Sequence, residues 1–195
     1  SVLHEETLEP VYRMGIPVCI KNTNNPTAPG TLITPTHEVM DNLVVGIASG
    51  TGFCTIYVSK YMMNREVGFG RKLLHILEDE GLSYEHTPSG IDNISIIIEE
   101  KQLNKVNEEH LIKRIKDELK VDDVTIERGL ALVMIVGEGM LRTVGICSRA
   151  SNALSKAGVN IEMINQGSSE VSMMFGIKAS DNEKAVKALY NEFFK

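Results

Sequence analysis

Laid on itself with a shift of 77 residues, the chain matches without a gap over about thirty positions, and this repeat restricts its fold more than composition does. Val67-Gly68 falls on Val144-Gly145, Leu77 on Leu154, Gly81 on Gly158 and Gly90 on Gly167. Beyond Asn93-Ile94-Ser95-Ile96, which falls on Glu170-Val171-Ser172-Met173, the shift becomes 74 and sets Leu111, Ile112, Ile115 and Leu119 on Ala185, Val186, Leu189 and Phe193. Agreement of glycines and apolar positions together implies two copies of one unit.

Each copy reads in the same order. A β-branched run comes first, over 53–58 in one copy and 130–136 in the other. A glycine-bearing loop follows, then an amphipathic helix whose stripe in the second copy is Val144, Cys147, Ala150, Leu154 and Ala157. Gly81 and Gly158 stand where a helix end wants positive φ. Two strands joined by a glycine turn and a second helix close the unit, with Glu108-Glu109 and Asp181 to Glu183 near the positive end of that helix.

The result is βαββα, one strand short of the ferredoxin-like βαββαβ unit. In the first copy 124–127 supplies the missing strand; the second copy has no room before Lys195. The spare strand is 43–48, so it is expected to pair into the second copy, with the first inserted in it. The expected organisation is α+β, with one domain over 53–128 and a discontinuous one over 42–51 plus 129–195. Residues 1–36 lie outside the repeat. They read as a helix from Glu6 to Gly15 with Leu8, Val11 and Met14 on one side, a strand over 16–21 and a loop over 22–36. That piece is too small for a core of its own.

The 195 residues carry 20 Lys+Arg against 26 Asp+Glu, with 5% aromatics. An acidic, aromatic-poor chain argues against nucleic-acid binding, and no apolar run reaches the ~18–20 residues of a membrane span. Cys19, Cys54 and Cys147 are odd in number and far apart, which suggests a reducing, cytoplasmic setting. All three lie in strand or helix patterns and are expected in the core. The five histidines lack ligand spacing, so no metal site is expected. Lys113, Arg114 and Lys116 read as a solvated helix face. The opening Ser1-Val2-Leu3 is no targeting segment and reads as the middle of a longer chain.

Several stretches resemble a known family. Leu3-His4, Glu9-Pro10-Val11, Gly15-Ile16-Pro17-Val18, Lys21-Asn22-Thr23 and Pro29-Gly30-Thr31 look like the end of the aspartate kinase catalytic domain. The repeats look like its paired ACT domains, most tellingly over 69–77, 84–92 and 160–172. The resemblance implies that 1–36 is the tail of the catalytic domain and that the parent is a kinase using ATP and Mg²⁺. The Lys-Phe-Gly-Gly phosphate-binding motif of that family is missing, and so is any acidic metal cluster, so the chain by itself is expected to be catalytically silent and to need no cofactor.

The resemblance further implies an effector site. An ACT loop between first strand and first helix offers helix N-terminal amides to a carboxylate. Here that loop runs over 62–70, and positions matching Met62, Gly68, Phe69, Gly70, Tyr84 and Glu85 line the site, with Asn64, Ser89 and Asp92 beside them. An acid at Glu85 or Asp92 suits an ammonium group and points to lysine, with threonine, or both together, as the rival. Gly139, Met140, Leu141, Asn165 and Gln166 hold the corresponding places in the second copy, which is expected to serve dimerisation and coupling. Plainer readings stand beside these: loop geometry for Gly68 and Gly70, a solvated strand edge for Glu85, and packing against a second subunit for Met62-Met63. A homodimer joined through its ACT sheets is the expected assembly. The alternatives are a stand-alone amino-acid-binding module and a small enzyme on a ferredoxin-like fold; for the latter no nucleophile–base pair is found.

Overall fold

The computed structural model describes residue 3, residues 5–34 and residues 43–195. The chain divides into two compact units, Ser1–Met40 and Asp41–Lys195. In the first, helix α1 (Glu5–Arg13) precedes an antiparallel pair, β1 (Val18–Ile20) and β2 (Thr31–Ile33). β2 lies in what the sequence reads as loop, and Met14, expected on the apolar side of the helix, is exposed. The part of the expected segments 1–36 and 42–51 that falls on 1, 2, 4, 35, 36 and 42 lies outside the described residues.

The second unit is built on one five-stranded sheet, in the order β4-β3-β5-β7-β6. Its strands are β3 (Gly46–Ser59), β4 (Asn93–Glu99), β5 (Asp123–Val136), β6 (Met163–Gln166) and β7 (Ser172–Lys178). Four helices cover one face: α2 (Phe69–Asp79), α3 (Glu108–Leu119), α4 (Ile146–Lys156) and α5 (Asn182–Phe194). Where the sequence suggests separate strands at 43–48 and 53–58, the chain runs as one strand from Gly46 to Ser59. The same holds for 124–127 and 130–136, which join in β5. The segment 46–51 pairs with 131–136, from Gly46 opposite Val136 to Thr51 opposite Ala131.

Two glycines make these long strands possible. The β3–β5 ladder shifts register around Phe53, which pairs with Leu130 while Cys54 pairs with Arg128, and Gly52 (φ 85°) and Gly129 (φ 76°) supply the extra residues. Helix-facing residues of β5 are even-numbered before the shift (Val124, Ile126) and odd-numbered after it (Ala131, Val133, Ile135). β3 mirrors this, with Ile47 before its shift and Cys54, Ile56 and Val58 after it. In an unbulged strand such a change of parity would turn the two halves to opposite faces. One extra residue per strand cancels it, so all four helices stay on one side.

Two cores result. The first packs Leu73, Ile76, Leu77, Leu111 and Ile115 on β3 and β4; the second packs Ala150, Leu154, Ala185 and Leu189 on β5 and β7. A small third cluster, Ile97, Leu130 and Leu132 with Phe53, Met163 and Met174, lies on the helix-free face and draws on both halves. On that side Asn165 Nδ2 donates to His86 Nδ1 at 3.1 Å. The sheet is therefore bent enough to bring its two edges within hydrogen-bond reach.

Several expectations about single residues are corrected. Cys54 is buried, but Cys19 and Cys147 are exposed. α4 begins at Ile146, so Val144 precedes it and is almost fully exposed, and the buried stripe is Ile146, Ala150 and Leu154. Met63 is buried in the first core rather than held out for a second subunit. Arg114 is no free surface cation: it ties α3 to α2 through Asp79 and Glu80 and pairs with Glu118 along its own helix. The strand expected to begin at Tyr84 and Glu85, before the glycine turn, is reduced to two isolated bridges, His86 to Ile97 and Ser89 to Ile94.

Candidate functional site

β3 delivers the chain into a loop at 60–68 that ends on the N-terminus of α2. Met62 takes a left-handed conformation (φ 57°), and residues 63–65 form a single 3₁₀ turn. Gly68, at φ 77°, caps α2, and a Cβ there or at Gly70 would meet nothing within 4 Å. The Phe69 amide donates to the Glu66 carbonyl at 3.2 Å, while the Gly70 and Arg71 amides of the first turn have no intrahelical partner.

Acids from neighbouring turns hold this loop in shape. The Asp92 carboxylate accepts the Met62 amide at 2.7 Å, and the Ile91 carbonyl accepts that of Asn64 at 3.0 Å. Asp122, which precedes β5, accepts the Tyr61 amide at 2.6 Å. Lys60 Nζ donates to Glu66 at 2.5 Å and to the Leu119 carbonyl at 2.6 Å, and lies 5.5 Å from the centre of the Phe69 ring. Hydrogen bonds from Lys60 and then Lys72 hold the Glu66 carboxyl below its ordinary pKa. Asp92 thus spends one oxygen on the backbone, an anchoring role that the sequence reading gave to an incoming ammonium.

Only some of the expected residues are brought together. Met62 is hydrogen-bonded to Asp92 and Asn64 to the adjacent Ile91, with Gly68, Phe69 and Gly70 following in the same loop and helix. Phe69 is buried. The Glu85 amide donates to Ile97, four residues along β4 from Asn93, so by strand rise Glu85 and Tyr84 stand roughly 13 Å from the Asp92 end. Ser89 instead lines a groove of about 530 Å³ on the helix-free side, with Thr55, Tyr57, Glu127 and Glu162.

The second half repeats the loop with its own anchor. Arg142 is left-handed at φ 57°, like Met62, and its amide donates to Glu170 at 2.8 Å. Thr143 Oγ1 donates to the Gly139 carbonyl at 2.7 Å. Gln166 lines a cleft of about 460 Å³ with Thr143, Gly145, Cys147 and Glu170, while Leu141 is exposed and Met140 is buried at its floor. Asn165 points the other way, to His86. The sequence reading missed Lys60, Glu66, Asp122 and Glu170. Glu170 falls on Asn93 under the 77-residue shift, one place from its functional counterpart Asp92, which hid it. Among the described residues no group of three His, Cys, Asp or Glu is placed to hold a metal ion, and no helix is long and apolar enough to cross a membrane.

Aspartokinase 3 of Bacillus subtilis (strain 168) is 59% identical over 194 residues, which span all of this chain and 43% of that protein. Over its whole length the chain is an aspartokinase homologue. The ACT domain family matches residues 133–193. The aspartate kinase of Clostridium acetobutylicum superposes with a TM-score of 0.89 at 47% identity, over 98% of this chain and 45% of that one. Escherichia coli aspartokinase III, solved with lysine and aspartate, shares the fold at a TM-score of 0.79 and 24% identity, over 100% of this chain and 43% of that one. The chain thus spans under half the length of these relatives.

Proposed function

We propose that the chain is the allosteric regulatory region of an aspartate kinase, an enzyme that phosphorylates L-aspartate with ATP and Mg²⁺, and that it binds a feedback amino acid, lysine in the first place and threonine as the rival. In this reading residues 1–36 end the catalytic domain, 53–128 form one ACT domain, and 42–51 with 129–195 form the other. The reading places the protein in the cytoplasm. Among the described residues there is no acid cluster to hold ATP–Mg²⁺, and no phosphoryl-transfer step is assigned to them.

The observation that carries this reading is the loop at 60–68, shaped by Asp92 and Asp122 in front of the α2 N-terminus, where the amides of Gly70 and Arg71 lack an intrahelical partner. Such amides suit an amino-acid carboxylate. Tyr84 and Glu85 stand too far along the sheet edge to reach the same ligand in one chain. An effector site between two chains, with a second copy supplying that edge, accounts for both groups of residues and for the exposure of Val67, Tyr84 and Ile91. Occupancy then shifts a kinase through its differential affinity for two arrangements.

Calorimetric titration of the chain with lysine, threonine and methionine, singly and in pairs, tests this. Lysine is expected to give a saturable signal that Glu85→Gln and Gly68→Val both weaken. No heat with any of the three overturns the reading.

A further inference from the structure

Both candidate loops grow from the same pair of strands. β3 and β5 run antiparallel from Gly46 opposite Val136 to Ser59 opposite Asp123. At one end Ser59 leads directly into the loop at 60–68, and Asp122, one residue before β5, holds the Tyr61 amide. At the other end Val136 leads into the loop at 137–143, while the Val45 amide donates to the Val136 carbonyl at 2.8 Å.

Between the two ends this ribbon is braced unevenly. β4 pairs with β3 from Phe53 to Ser59, and β7 pairs with β5 from Leu130 to Val136. Neither outer strand crosses the middle. There only β3 and β5 continue, each with a glycine at positive φ, Gly52 and Gly129, and a Cβ at either would meet nothing within 4 Å. Two braced bodies are thus joined by a two-stranded ribbon whose weak point is a glycine pair. Across the concave side, the Asn165–His86 hydrogen bond and the Ile97, Leu130, Leu132 cluster link the same two bodies.

We propose that the β3–β5 ribbon is a lever, hinged at Gly52 and Gly129 and clasped by His86 and Asn165, through which the state of the loop at 60–68 sets that of the loop at 137–143. It rests on reading the loop at 60–68 as the ligand-sensing element and the loop at 137–143 as the coupling element. Interfaces that hold two bodies in alternative arrangements carry such coupling, whereas a continuously deformable sheet would dissipate it. The coupling is reciprocal, so loosening either loop loosens the other.

The test adds no ligand. Amide hydrogen exchange is measured on the full chain, wild type and Asp92→Ala/Asp122→Ala, which removes both acceptors and frees the loop at 60–68. Exchange at 61–66 is expected to rise, and exchange at 137–143 to rise with it by about fivefold, the lower end of site-to-site coupling. Adding Gly52→Ala/Gly129→Ala, which forces side chains into positive φ, is expected to abolish the remote response and keep the local one. Asn165→Ala, which opens the clasp and leaves the ribbon intact, is the second probe and is expected to at least halve the remote response. An unchanged rate at 137–143 when 61–66 has loosened overturns the proposal, as does a remote response that survives both the hinge and the clasp variants. A failed amino-acid titration would sink the effector reading and leave this result standing.

Discussion

The three cysteines show how far a single residue's environment departs from its sequence pattern. Cys54 sits between β4 and β5 in the first core, and burial, with a smaller push from Glu100, raises its thiol to about 11. Cys19 and Cys147 are exposed. Since the thiolate is the reactive form, an aromatic disulfide reagent is expected to titrate two thiols in the native protein and the third only after unfolding. Three fast thiols would mean that the first core opens readily. The misplacement of Cys147 has a physical cause: three-and-four spacing was read from Val144, but α4 starts two residues later and turns Ile146 inward. Glycines divide as sharply. A Cβ at Gly137 would lie 2.2 Å from the Leu43 carbonyl oxygen, whereas Gly70 has open space. Gly137→Ala is expected to cost about 1–3 kcal/mol through overpacking. Gly70→Ala, in the first turn of α2, is expected to be neutral or to stabilise by up to ~1 kcal/mol. Denaturant midpoints compare the two, and equal effects would contradict the close approach of 43–44 to 137.

At the scale of elements, helices and strands were legible in the repeat because apolar spacing and glycine stops are local signals. The joins between strands were not. Ser49-Gly50-Thr51-Gly52 lies between the two strands expected at 43–48 and 53–58, yet one residue at positive φ lets β3 continue through it, a choice fixed by the partner strand rather than by local preference. The α2–α3 junction was equally hidden, because Arg114 meets Asp79 and Glu80 some 35 residues away in sequence. The Arg114 guanidinium holds the Asp79 carboxyl below its ordinary value, and its own pKa is raised by Asp79, then Glu118 and Glu80. A carboxyl with a depressed folded-state pKa contributes stability above its unfolded value, and that contribution is lost as pH falls through the folded one. Urea midpoints of the wild type are therefore expected to fall from about pH 4 downward, and Arg114→Gln to show a shallower fall together with a lower midpoint at pH 7. An unchanged acid slope in the variant would show that Asp79 draws its stabilisation elsewhere.

At the scale of the whole molecule, the question is whether two cores make two folding units. β3 places Ile47 against the second core and Cys54, Ile56 and Val58 in the first, and β5 places Val124 in the first and Ala131, Val133 and Ile135 in the second. Neither core keeps its central strands if the other unravels, because each strand leaves one core and enters the other with only a single bulged glycine between the paired stretches. Leu154 is fully buried in the second core and absent from the first. Leu154→Ala is expected to destabilise by about 2–5 kcal/mol. Methyl signals of Ile56 and Ile96 in the first core are expected to melt at the same lowered temperature as those of Ile135 and Ile177 in the second. The converse substitution, Leu73→Ala, is expected to lower the second core's melting by the same route. A first core that holds its wild-type melting temperature in Leu154→Ala would show that the shared strands part at Gly52 and Gly129 before they transmit any loss. That outcome would separate the two bodies energetically, even though one ribbon of backbone runs through both.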